Sequence, residues 1–262
     1  LGRRRLGSVE VNRKGPRHAA ITRLNRRGQA CADTLRTGQL MGAFPARVLL
    51  DIFGNDRVVS VSGRAAGPHV VDNGDSLHGV KERLGEGVPG DQPPAKRVEL
   101  VVSALHEAIR TVHSCPLPVV AKIDGPAFGA GAGLALACDL QVASTDGQIG
   151  FGFRRVGLAS DSGVSYFLPR IVGPNKAKEL LFTGELLDAD SAAELGLFTR
   201  VFDAEAFESE VSALVDDIAS GPTVALGHAK RLVNRSLDSS LEQALENEAT
   251  AQGVAFTTAD HE

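Results

Sequence analysis

PVVAKIDGPAFGAGAGLALACDL runs from Pro118 to Leu140, and after a short polar link GQIGFGFRRVGLASDSGVSYFLPRIVG runs from Gly147 to Gly173. Val119 to Ile123 is short, rich in β-branched residues and bounded by prolines, so it reads as a buried strand. Asp124-Gly125-Pro126 is turn chemistry. From Gly131 to Cys138 the residues are small and apolar, which predicts a helix packed tightly inside the protein. A helix start leaves backbone N–H groups unpaired and carries partial positive charge. With almost no side chains there, a ligand oxygen can come close to the backbone. Such donors can hold an enolate or a tetrahedral oxyanion. The same composition also serves close helix–strand packing alone. A dinucleotide fold fits poorly, because its glycine pattern requires an acidic residue at the next strand end. The second notable feature is Asp161, set between Ser160 and Ser162 in a small-residue turn. It reads as a functional carboxylate or as the N-cap of the helical run that follows Gly163.

Around this stretch the chain is ordinary in composition. Its 262 residues suffice for one large domain, or a domain with an appendage. An apolar fraction of 43% and a net charge of −4 fit a globular chain and do not suggest nucleic acid. No apolar run is long enough to span a membrane and no signal peptide is visible, so a cytoplasmic location is expected. Cys31, Cys115 and Cys138 are scattered and lack metal spacing, which predicts free thiols in a reducing compartment. Arg3-Arg4-Arg5 reads as a solvated terminus.

Val9 to Asn12 and Ala19 to Leu24 read as paired strands around Lys14-Gly15-Pro16. Ala30 to Leu50 is expected to be helical, broken or kinked at Pro45. Val58 to Val61 is a buried strand ending at Gly63, and Gly85 to Pro94 is a glycine- and proline-rich loop. Val98, Val101, Leu105, Ile109 and Val112 give helix spacing over Ala95 to Ser114, with His106 and His113 at its surface or end. Further helices are expected from Pro174 to Phe182, Asp188 to Leu195, Ala204 to Ser220, Pro222 to Arg235 and Ser239 to Thr257. A last strand lies within Leu197 to Phe202. Ser239 with Glu242 reads as a capping box. Lys230 and Arg231 read as solvated helix charges.

Several blocks together resemble the enoyl-CoA hydratase/isomerase family, the crotonase superfamily. Asp124-Gly125, Gly129-Ala130-Gly131 and Cys138-Asp139-Leu140 fall where that family has a strand ending in Asn-Gly, a glycine turn and a buried helix. FLPRIVG (Phe167 to Gly173) and KAKELLFTGELLDADSAAELGLFTRVF (Lys176 to Phe202) follow in the family's order. Leu24-Asn25-Arg26 resembles its LNRP block, with Arg27 where proline is usual. The resemblance is strong from about Val98 onward and weaker before it. It implies an α/β crotonase fold: a spiral of ββα repeats over residues 1–197 carrying an acyl-CoA site, then a helical trimerisation region over residues 198–262. It further implies an acyl-CoA thioester as partner, a homotrimer or hexamer, and no metal or cofactor beyond the coenzyme A of the substrate.

The resemblance also implies roles. Pro68 to Leu77 would supply one oxyanion donor, the Gly74 N–H, and Ala130 N–H the second. Asp72 and Asn73 replace the usual Ala-Gly pair, and an acidic residue near a thioester oxygen would oppose charge build-up there. Read without the resemblance, Asp72-Asn73-Gly74-Asp75 is a polar turn. Phe128, Gly129, Arg155 and Tyr166, with Asp72 and Asn73, are the expected substrate contacts. Family hydratases share proton transfer between two glutamates. One falls at Gly133, and the other, in a PEVxLG block, at Arg155, which cannot act as a general base. The block from Gly157 to Arg170 is similar to the GLxPDSGGTxFLPR block of the Asp-dependent isomerase branch, the ring-epoxide phenylacetyl-CoA isomerases among it. An Asp in a pocket of small and apolar residues is partly desolvated and a better proton shuttle. The implied function is a thioester isomerase with Asp161 as acid and base. Alternatives are another lyase, hydratase or cyclase on a CoA or carrier-protein thioester, or a non-catalytic acyl-thioester-binding protein.

Overall fold

A computed structural model describes residues 49–55, 58–64 and 93–261. The expected strand pair before Leu24, the helix from Ala30 up to residue 48 and the loop holding Asp72, Asn73 and Gly74 lie outside the described residues.

The main sheet is built from β1 (Leu49–Asn55), β2 (Val58–Arg64), β3 (Val119–Ile123), β5 (Leu140–Ser144) and β8 (Arg200–Phe202), in that spatial order. β1 pairs antiparallel with β2, and the remaining pairs are parallel. A second sheet is made of β4 (Pro126–Phe128), β6 (Gln148–Gly150) and β7 (Leu186–Leu187). The chain therefore lays β3 in the first sheet and β4 in the second, then forms α2 (Ala130–Ala137). The next turn repeats this with β5, β6, a 3₁₀ turn over Gly152–Val156 and α3 (Val164–Thr183). Repeated ββα turns of this kind are the spiral expected of the fold.

The central strand shows why. In β3, Val119, Val120, Ala121 and Ile123 are all buried, as expected of a parallel strand covered on both faces. Odd-numbered side chains enter the larger core with α1 (Pro94–Ser114) and α2, through Leu105, Val112, Ala132 and Leu136. Val120, on the other face, packs with Val142 against Phe207, Val211 and Leu214 of α5 (Phe207–Ser220). Lys122 shares that face and pairs with Glu208. Thus β8 and α5 are built onto the sheet. After α4 (Ala189–Glu194), β8 and α5, the helices α6 (Thr223–Ser236) and α7 (Leu241–Ala255) form an arm.

Three expectations are corrected. Leu49 and Leu50, read as the end of a helix, are the first residues of β1. The cap of α7 is Ser240, whose Oγ accepts the Gln243 N–H, so the capping register is one residue later than Ser239 and Glu242. Lys230 is not a solvated charge. Its side chain is 6% exposed and its ammonium lies 2.8 Å from Asp139 Oδ2. It also donates to the carbonyls of Val112 (3.2 Å) and Leu117 (3.3 Å). Asp139 Oδ2 accepts the Val119 N–H at 2.7 Å as well. Three ammonium protons thus meet three acceptors. Gly227, one turn before Lys230, lets α6 cross directly over the Pro116 carbonyl, which any side chain there would strike. Burial raises the Asp139 carboxyl above the usual range, against the opposing pull of Lys230. Cys115 and Cys138 are buried and in no disulfide among the described residues, and burial pushes the Cys138 thiol up. Among the described residues no helix is long and apolar enough to cross a membrane.

Lys230→Met leaves the Asp139 charge buried without its partner. It is expected to cost about 3–5 kcal/mol in urea unfolding, and Asp139→Asn added to it should restore part of the loss. A cost indistinguishable from that of an exposed lysine would remove the ammonium from its structural role. His113 gives a second test. It packs edge-on to Phe167 and Tyr166, and burial, then Lys230, hold its imidazole below the ordinary value, with Asp139 opposing. A depressed folded pKa means stability present above the unfolded value of about 6.5 and lost as pH falls from there through the folded value. Unfolding midpoints should therefore drop as pH falls through and below the unfolded value of about 6.5. His113→Phe should flatten that drop without abolishing it, since His228 is shifted the same way. An unchanged slope would clear His113 of the effect.

Candidate active site

The site is assembled where the second sheet hands the chain to α2. Gly125 (φ 118°) turns the chain from β3 into β4, and Gly129 (φ 57°) turns it again into the helix. The Gly129 N–H bonds to the Gly150 carbonyl at 3.0 Å, fixing the helix start to β6. The first bond into α2 runs from the Gly133 N–H to the Gly129 carbonyl at 3.0 Å. The N–H groups of Ala130, Gly131 and Ala132 therefore precede the intrahelical ladder. Ala132 to Ala137 are all buried, so α2 is an apolar helix with a bare backbone start. That is the geometry of an anion-holding helix terminus.

One turn into α2, Gly133 meets the Asp161 turn. A Cβ on Gly133 would strike the Ser162 carbonyl and lie 2.7 Å from Ser162 Cβ. Along a helix axis Ala130 and Gly133 are about 4.5 Å apart. The turn thus sits over the first turn of α2, beside the expected donor. Ser162 (φ 51°) and Gly163 (φ 76°) are both left-handed, which reverses the chain there. Asp161 is half-buried, and its Oδ1 accepts the Ser162 hydroxyl at 2.9 Å. The Asp161 side chain does not cap α3. The cap position is Gly163, and no side-chain cap bond is present.

Phe128 lies with its ring over Gly150 and Gly152, in space that side chains there would fill. Arg155 is exposed, with its guanidinium 5.8 Å from the Phe128 ring centre. The 3₁₀ turn that carries it ends at Gly157, in the left-handed conformation. Taking that glycine as the last residue of the PEVxLG block puts the glutamate place at Phe153, not Arg155. Phe153 is 8% exposed, and its Cε1 is 3.9 Å from where a Gly129 Cβ would lie. So Phe153 faces the helix start, while Arg155 points outward beside Phe128. Tyr166 belongs to another cluster. Its hydroxyl is 3.4 Å from Asp238 Oδ2, and Arg170 covers its ring at 3.6 Å. Asp72, Asn73 and Gly74 lie outside the described residues. The cleft between α6 and α7, lined by Leu232, Ser236, Ala244 and Asn247, holds none of these groups.

Comparison with known proteins bears on the fold and the family. A family model described as enoyl-CoA hydratase/isomerase matches residues 92–262. The chain is 36% identical over 143 residues to 4-chlorobenzoyl coenzyme A dehalogenase-1 of Arthrobacter sp, covering 55% of this chain and 52% of that protein. It is 33% identical over 153 residues to 1,2-epoxyphenylacetyl-CoA isomerase of Escherichia coli, covering 58% of each chain. Other curated relatives carry hydratase names. The chain thus spans between half and three-fifths of the length of these relatives. Among solved structures, an enoyl-CoA hydratase from Bacillus anthracis superposes with a TM-score of 0.68 at 25% identity, covering 93% of this chain and 82% of that one.

The Gly133 contact is directly testable. Gly133→Ala should lower stability by about 1–3 kcal/mol, as overpacking does. Gly131→Ala, where a Cβ meets nothing within 4 Å, is the control and should be neutral or slightly stabilising. Equal thermal midpoints for the two variants would mean that the Asp161 turn does not rest on Gly133.

Proposed function

The chain belongs to the enoyl-CoA hydratase/isomerase family, and we propose that it is an acyl-thioester isomerase in which Asp161 is the acid and base. The observation that carries this reading is the seating of the Asp161 turn on Gly133, beside the bare start of α2. The substrate is an acyl-CoA thioester whose carbonyl oxygen accepts the Ala130 N–H and, by resemblance, the Gly74 N–H. The Asp161 carboxylate removes a proton from the carbon next to the carbonyl. The C–H electrons move into an enolate, and its oxygen charge falls on the two donors. Each such donor typically contributes ~3–4 kcal/mol in the transition state. The protonated Asp161, whose proton exchanges with solvent, then delivers a proton either back to that carbon or two carbons further along the conjugated enolate, and in the second case the double bond shifts. Nothing is consumed, and no cofactor enters beyond the coenzyme A of the substrate.

Neither hydratase glutamate has a counterpart here, since Gly133 has no side chain and Phe153 is apolar. This favours a single shuttling carboxylate over paired-carboxylate hydration. The same absence favours, as a second reading, a binding protein that holds acyl thioesters without turnover. The expected homotrimer or hexamer is retained in the proposal. Val233, Leu237, Leu241, Leu245 and Phe256 leave an apolar face on the arm, which suits burial against other copies.

The test is proton exchange. The protein is incubated in D2O with saturated, enoyl and aryl-acetyl CoA thioesters, and deuterium uptake is followed by mass spectrometry. Wild type should exchange the proton next to the carbonyl, and Asp161→Asn should do so at least ~100-fold more slowly. Equal exchange by both would refute Asp161 as base. Measurable binding without exchange across the panel would favour the binding protein.

A further inference from the structure

The residue after Asp161 has no role in the mechanism above, yet its conformation is the least ordinary in the described chain. Ser162 is the one described non-glycine residue with positive φ, at 51°. Left-handed backbone is uncommon outside glycine, asparagine and aspartate, and such residues persist only where their surroundings hold them. The surroundings here are explicit. Ser162 is 1% exposed, and its Cβ and carbonyl are pressed against Gly133. On the other side, the Gly163 Cβ position is closed by the Phe167 ring at 2.7 Å and by Ile109 at 3.2 Å. The turn cannot relax in either direction without moving α2 or α3.

A buried hydroxyl must find a hydrogen-bond partner. The Ser162 hydroxyl finds Asp161 Oδ1, at 2.9 Å. Among the described residues no donor reaches Asp161 Oδ2. Among the described residues the two oxygens of one carboxylate are therefore unlike: one is held, the other has no donor. Glycine would adopt φ 51° with no strain, but it would leave Oδ1 without this donor.

We propose that Ser162 is the positioning residue of the Asp161 carboxylate. It holds Oδ1 and so fixes the side chain with Oδ2 offered for proton transfer. This rests on the reading of Asp161 as acid and base.

The experiment uses the full chain with 13C-labelled aspartate. The Asp161 carboxyl resonance is assigned by its absence in Asp161→Asn and compared at one fixed pH in wild type, Ser162→Ala and Ser162→Gly. Both variants lose the hydroxyl, but only glycine relieves the left-handed strain. The proposal expects the resonance to move in both variants, as the hydrogen bond to Oδ1 is lost. The thermal midpoint should fall or hold in Ser162→Ala and rise in Ser162→Gly relative to it. With any thioester that exchanges, kcat should fall about tenfold in both variants, with KM unchanged. A resonance that stays at the wild-type position in both variants overturns the proposal. So does a rate that tracks stability, falling in alanine and recovering in glycine. Failure of the functional reading is told apart by Asp161→Asn: undiminished exchange there removes Asp161 as base, whatever the Ser162 variants give.

Discussion

No atom can be added to Gly133. That single steric limit ties the two halves of the candidate site together, because the Ser162 backbone occupies the space where a side chain on Gly133 would project. α2 supplies backbone N–H groups that the helix cannot use, and the turn before α3 supplies a carboxylate. Each comes from its own ββα repeat. Their proximity depends on the two repeats stacking with no spacer between Gly133 and Ser162. The same contact holds Ser162 in a conformation it would not choose in solution. Packing thus supplies the free energy that keeps the turn strained, and the strained turn sets where the carboxylate stands.

The rest of the fold serves to hold α2 still. Its N-terminal end is tied to β6 by the Gly129 N–H bond. Its C-terminal end is tied by Asp139, which receives both the Val119 N–H and the Lys230 ammonium. A cation near a helix C-terminus is favourable in itself, and here it also binds the arm to the core. A buried pair of this kind is poor grounds for a large gain in stability, since desolvation offsets the attraction. Its value is geometric: the alternatives leave a buried charge alone. The arm crosses close enough for this only because Gly227 leaves room over Pro116.

The parts of this arrangement legible in the sequence are those whose cause is local. β3 and α2 are announced by composition, because a strand buried on both faces and a helix buried all round must be apolar throughout. α1 is announced by its periodicity. What was not legible has causes distant in the chain. Lys230 looks like a surface charge because its three acceptors lie at Val112, Leu117 and Asp139, more than ninety residues away. β4, β6 and β7 have two or three residues each, too few for an alternation to show, and exist through pairing with one another. Leu49 and Leu50 suit a helix as well as a strand until β2 offers a partner. Arg155 and Phe153 are separated by register alone, and the register is set by the left-handed Gly157. Ser162 carries no signal, because serine does not ask for positive φ.

Counting carboxylates bears on the chemistry more than fold does, since the fold is shared by relatives bearing hydratase, isomerase and dehalogenase names. Adding water across a double bond requires one group to take a proton from the water and another to deliver a proton to carbon. Two carboxylates on opposite elements meet that requirement. A double-bond shift needs one group that gives back what it took, and a single half-buried aspartate suffices. Its side chain is one bond shorter than glutamate, so it must be brought closer by the backbone. In the proposal, the reversed turn at Ser162 and Gly163 serves that end. A base carried by a rigid turn loses less conformational freedom when substrate arrives than one on a longer side chain. The isomerase proposal therefore draws on where the backbone goes, and in that proposal the bare Gly133 is as necessary as the carboxylate.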